Sequence, residues 1–66
     1  MPGEIKRVIE RIIALRSRGD DLLVHTTTAK LIFKGVDPSR YTSESPDDPE
    51  VLEKVKQIAK DLGVKL

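Results

Sequence analysis

The chain has 66 residues, 12 Lys or Arg against 11 Asp or Glu, one histidine, no cysteine and two aromatic residues. At this length one small domain spanning 1–66 is expected, with a core near the lower limit for independent folding. No disulfide or thiolate cage can supplement that core, the zinc-ligand patterns are missing, and neither a metal nor an organic cofactor is expected. Two aromatics are too few for a base-stacking platform. The net charge of +1 hides a mild asymmetry, because residues 1–34 carry seven basic and four acidic side chains and residues 35–66 carry five and seven. Nucleic-acid-binding segments are usually far more one-sided. No apolar run of membrane-spanning length occurs, and MPGEIKR lacks the apolar stretch of a secretory signal, so a cytoplasmic protein is the expectation.

The first element is a helix over about 3–17. Ile5, Val8, Ile9, Ile12, Ile13 and Leu15 follow the i, i+3, i+4 rule and cover a stripe roughly 160° wide. Glu4 in the first turn and Arg16 and Arg18 in the last complement the helix dipole. Gly19 supplies the left-handed position that ends it. Arg16 falls near the centre of the apolar stripe, and at the helix end it can reach outward.

The second element, LLVHTTTAKLIFKG, is the ambiguous one. Three consecutive threonines favour extended backbone, but Leu22–Thr28 lacks the alternation of a half-buried strand, and no turn residue divides it. A shorter helix capped by Thr27 or Thr28 is the intermediate solution. A continuous helix over about 21–34 agrees best with the boundaries: Asp20 or Asp21 as N-cap, Gly35 as stop, Pro38 beyond. Each threonine then costs only a few tenths of a kcal/mol. In that helix Leu22, Thr26, Ala29 and Phe33 share one face, and Val24, Thr28 and Leu31 lie opposite.

Residues 35–48 form a long connection rich in Pro, Ser, Asp and Gly, in which Val36 and Tyr41 are the residues able to pin it to the core. The last helix spans about 49–62. Asp48 is its N-cap, Pro49 its first residue, and Val51, Leu52, Val55, Ile58, Ala59 and Leu62 its stripe. Gly63 and Val64 read as a Schellman ending. Glu50–Lys54 and Glu53–Lys56 are spaced for surface ion pairs. The fold expected is therefore all-α, a small three-helix bundle with a long 35–48 loop.

The candidate chemistry is thin. His25 has Asp21 one turn before it and threonine hydroxyls beside it, but a threonine without an activating amine is a rare nucleophile, and no oxyanion-stabilising arrangement accompanies it. A histidine held by a neighbouring carboxylate or carbonyl is the plainer reading, and no enzymatic activity is expected. The pairs Asp20–Asp21 and Asp47–Asp48 precede helices, where capping accounts for them. KGVDPSR does not have the spacing of a phosphate-binding loop.

What exceeds structural need is apolar width. The functional expectation is a small helical protein-interaction module, self-associating or completed by another protein, with Leu23, Val24, Leu31, Phe33 and Tyr41 as contact residues. The regularity of the last helix also fits an engineered binder on a natural scaffold, although LVHTTTAK and the long loop break design habits. The alternative is a helix-turn-helix-like nucleic-acid-binding domain, with Arg18-Gly19-Asp20 as the turn and Lys6, Arg7, Arg11 and Arg18 on phosphates. Against it, the second helix offers few of the Arg, Lys, Asn or Gln side chains that read bases.

Overall fold

The computed structural model describes residues 2–66. It is all-helical: α1 (Glu4–Ser17), α2 (Asp21–Phe33), a 3-10 turn (Pro38–Arg40) and α3 (Pro49–Asp61). Three helices therefore stand where the periodicity placed them, each within a residue of the expected ends.

The arrangement is not a symmetric bundle. α1 is the central element and packs against both α2 and α3, whereas α2 rests on α1 and the 3-10 turn and meets α3 only marginally. The core is one cluster: Ile5, Ile9 and Ile12 from α1, Leu31 from α2, Val36 from the connection, and Val55, Ile58, Ala59 and Leu62 at α3. Val8, Ile13, Tyr41, Val51, Leu52 and Val64 pack around it. The wide stripe on α1 is explained by its two neighbours, with Leu15 left largely exposed at the margin.

α2 and α3 are closed by the same devices, and α1 by others. At α2, the Asp20 carboxylate accepts from the Leu22 N–H at 2.9 Å. The threonines are accommodated because Thr26 donates to the Leu23 carbonyl at 3.1 Å and Thr28 to that of Val24 at 2.8 Å. Back-bonding of this kind lets a helix hold threonine without leaving its hydroxyl unpartnered. The helix ends in a Schellman motif, with Gly35 N–H on the Ile32 carbonyl and Val36 N–H on that of Leu31. The apolar contact that accompanies this motif joins Val36 to Leu31, both fully enclosed.

α3 repeats the pattern, with Asp48 accepting from Glu50 N–H at 3.0 Å, Pro49 in the first turn, and a Schellman ending in which Val64 N–H reaches the Ala59 carbonyl at 2.8 Å. The ion pairs expected on its wet face are not formed. Among the described residues the ion pairs are instead Lys6–Glu10 at 3.6 Å, Arg7–Glu4 at 3.1 Å and Lys34–Asp61 at 3.7 Å.

One local expectation is corrected, and one cap comes from outside its own helix. The left-handed cap of α1 is Arg18 itself (φ 49°), with Gly19 (φ 86°) as the next left-handed residue. The N-terminus of α1 has no side-chain cap of its own at Gly3; the Glu4 N–H is met by Asp47 Oδ1 at 3.0 Å, from 43 residues away. Asp47 and Asp48 thus cap two different helices. The 35–48 connection is fastened at that point as well by Gly3 N–H on the Ser45 carbonyl at 3.0 Å.

Candidate functional site: the outward face of α2

α2 buries one narrow face. Thr27 and Leu31 are enclosed, Val24 and Thr28 half-buried, and these four recur at i, i+3, i+4, i+7 against α1. Of the two faces the sequence distinguishes, the one with Val24, Thr28 and Leu31 is the inner. The other faces solvent. Phe33 is 92% exposed, Leu22 69%, Ile32 50% and Leu23 38%. Thr26, Ala29 and His25 lie among them, all exposed.

The reason is topological. A helix in a bundle of three normally meets two others, but α2 packs mainly on α1 and the short turn, so most of its residues stay exposed. Isolated exposed leucines need no explanation on a folded surface. Four large apolar side chains, an aromatic ring among them, stand exposed on one 13-residue helix, two at each end with Thr26 and Ala29 between, more apolar surface than a scatter of single leucines.

The residues expected at a contact surface divide accordingly. Leu23 and Phe33 lie on the open side of α2. Leu31 is fully enclosed and has no surface to offer, so that expectation is corrected. Val24 belongs to the same inner face, and Tyr41 lies half-buried against the core as the anchor of the connection. Leu22 and Ile32 complete the open face and are not among the contact residues expected; the stripe shared by Leu22 and Phe33 is the signal that contains the first of them.

The basic residues of the alternative reading are placed less favourably. Lys6 and Arg7 are each paired to a glutamate of the same helix, which cancels much of their field. Arg11 and Arg18 are exposed. The helix following the Arg18-Gly19-Asp20 turn shows solvent mainly Leu, Ile, Phe, Thr and Ala, and Lys30 is the cation on its mid-section.

His25 is exposed and has no hydrogen-bond partner among the described residues, so the carboxylate or carbonyl expected to hold it is not there. Among the described residues no three His, Asp or Glu side chains gather closely enough to hold a metal ion. Among the described residues the one titratable group clearly displaced is Asp37, whose carboxyl is held below its ordinary pKa by the Ser39 hydroxyl and then the Ser39 N–H. That is the signature of a turn cap at the start of the 3-10 turn. No described helix is long and apolar enough to cross a membrane.

No family model matches this chain, and no curated protein or solved structure matches it either.

Proposed function

We propose that this chain is a small protein-interaction module that offers the outward face of α2 to another polypeptide. The observation that carries the reading is Phe33 at 92% exposure, with Ile32 next to it and Leu22 three turns away towards the other end of the same helix, on a molecule whose core is formed without them. Burying a phenylalanine and a leucine or isoleucine contributes about 1.5–3 kcal/mol each, which is the scale of an interface hot spot. The core is complete without these side chains, so their exposure is not needed for folding. Recognition here uses shape and apolar contact, and no side chain is assigned a catalytic role.

A photocrosslinking amino acid at position 33 tests this, with the same group at Lys56 as control, an exposed α3 position outside the groove that Lys34 shares with α3. A discrete adduct from position 33, competed by excess unlabelled chain but not by a Phe33→Lys chain, is expected. Equal labelling from both positions, or none from 33, overturns the proposal.

A further inference from the structure

Resting on that reading of the α2 face, we infer that its occupant is a second copy of this chain, docked antiparallel, α2 against α2.

Two features of the face favour this partner, and a third sets the strength of the contact. The first is spacing. Leu22, Thr26, Ala29 and Phe33 recur at intervals of four, three and four, the rhythm of a two-helix seam. The order of sizes along that seam is large, small, small, large. A second copy reversed about the midpoint between Thr27 and Thr28 sets Leu22 opposite Phe33 of the second copy and Thr26 opposite Ala29 of the second copy. The small central pair lets the two axes approach to the 8–10 Å of packed helices. The bulky residues, about 16 Å apart along each axis at 1.5 Å per residue, close both ends. Thr26 fits this dry position because its hydroxyl is already bonded to the Leu23 carbonyl.

The second feature is charge. α2 carries Asp20 and Asp21 at its N-terminal end and Lys30 and Lys34 at its C-terminal end. Reversal brings the acidic end of each copy level with the basic end of the other, with Asp21 in register with Lys34. The long 3.7 Å pair of Lys34 with Asp61 offsets part of its charge and leaves Lys30, among the described residues, as the unpaired cation of that end. A parallel arrangement would set aspartate against aspartate, lysine against lysine, and like helix-dipole ends side by side. Charge therefore selects the antiparallel orientation where apolar contact alone does not.

The third is area. With a phenylalanine ring contributing up to roughly 200 Å², the open side chains of α2 amount to something on the order of 400 Å² per copy. About 800 Å² in total lies below the standard size of a stable specific complex. The dimer is accordingly weak and reversible, with dissociation in the micromolar-to-millimolar range, and the monomer folds without it.

Sedimentation equilibrium of the full chain from about 5 µM to about 1 mM brackets that range. The apparent mass should rise from 7.4 kDa towards twice that value. Leu22→Glu and Phe33→Lys, each at an exposed position, should keep the helical circular dichroism of the parent and remain monomeric. An equimolar mixture of the two variants should regain the dimer, because the new carboxylate then faces the new ammonium in the reversed register. A wild-type chain that stays at 7.4 kDa throughout overturns the inference. In that event an adduct to a different protein from position 33 leaves the contact-surface reading standing without it. A dimer indifferent to both substitutions places the interface elsewhere and overturns it. A mixture that stays monomeric, with both single variants dissociated, contradicts the antiparallel register.

Discussion

The Arg16 guanidinium donates from Nη1 to the Leu62 carbonyl at 2.8 Å, joining the last turn of α1 to the C-terminal end of α3. That carbonyl has no partner within its own helix, because the last carbonyls of any helix lie beyond the reach of following N–H groups. A cation from α1 meets it, and so the one basic residue near the centre of the apolar stripe becomes a clasp between two helices. Arg16→Ala should destabilise the fold by about 1 kcal/mol, the lower part of the range for a hydrogen bond from a charged donor, since the side chain is partly in water. Arg16→Lys should recover only part of this, because an ammonium on a differently shaped stem does not reproduce the guanidinium geometry. Urea denaturation of the three chains measures both differences.

At the other end of α1, Gly3 is the residue least able to accept change. It has φ 87°, and a Cβ there would lie 2.5 Å from the backbone oxygen of Ser43. Gly3→Ala therefore combines an unfavourable backbone region with a collision against main chain rather than a yielding side chain. A loss of at least about 2 kcal/mol is expected, which for a domain this small lowers the thermal midpoint by roughly 10 °C or more. Gly19, equally left-handed but with nothing within 4 Å of a built Cβ, should lose less on the same substitution. Thermal unfolding of the two variants side by side separates strain from collision.

Asp47 and Asp48 are adjacent and cap different helices, which makes them separable by experiment. Asp48→Ala removes the N-cap of α3 and should cost about 1 kcal/mol. Asp47→Ala should cost a comparable amount, but its effect falls on α1 and on the connection held to it. Hydrogen exchange tells them apart: Asp47→Ala speeds exchange at Glu4, and Asp48→Ala at Glu50, the two N–H groups these carboxylates accept from. Accelerated exchange at the same helix in both variants would contradict the assignment.

The Asp37 turn carries a pH signature. Its carboxylate accepts from the Ser39 hydroxyl at 2.7 Å and the Ser39 N–H at 3.0 Å, and its pKa is lowered in consequence. A carboxylate with a depressed folded-state pKa binds fewer protons folded than unfolded. Its stabilisation is therefore complete above the unfolded value, about 3.9, and is lost as pH falls through the folded one. The difference in stability between the wild type and Asp37→Asn should be constant near neutrality and shrink as pH falls below about 4. A difference that stays the same down to pH ~2 would show that the charge of Asp37 contributes nothing.

Much of this was legible in the sequence, and the remainder has a physical reason for being hidden. The stripes of α1 and α3, the caps Asp20 and Asp48, and the glycine endings at Gly35 and Gly63 are local signals decided within a few residues. The two faces of α2 were legible as well. Which of them turns inward was not, because Thr27 and Leu31 form no better an apolar face than Leu22 and Phe33; only the position of α1 decides it. Leu31 was expected outside for that reason. The caps of α1 by Asp47 and of α3 by Arg16 cross more than 40 residues of chain, and no spacing rule reaches that far. The failure of Glu50–Lys54 and Glu53–Lys56 to pair is the ordinary behaviour of exposed charges, whose attraction in water barely exceeds the entropy of holding them.

The claim that matters most is that the solvent-facing side of α2 is a seam. Amide chemical shifts of the isotopically labelled chain, followed through serial dilution, test it residue by residue. Concentration-dependent shifts should gather at Leu22, Thr26, Ala29, Ile32 and Phe33 and leave Lys56 and Lys60 on α3 unmoved. Shifts that gather instead along Lys6, Arg7 and Arg11, or a spectrum indifferent to dilution, would contradict the account.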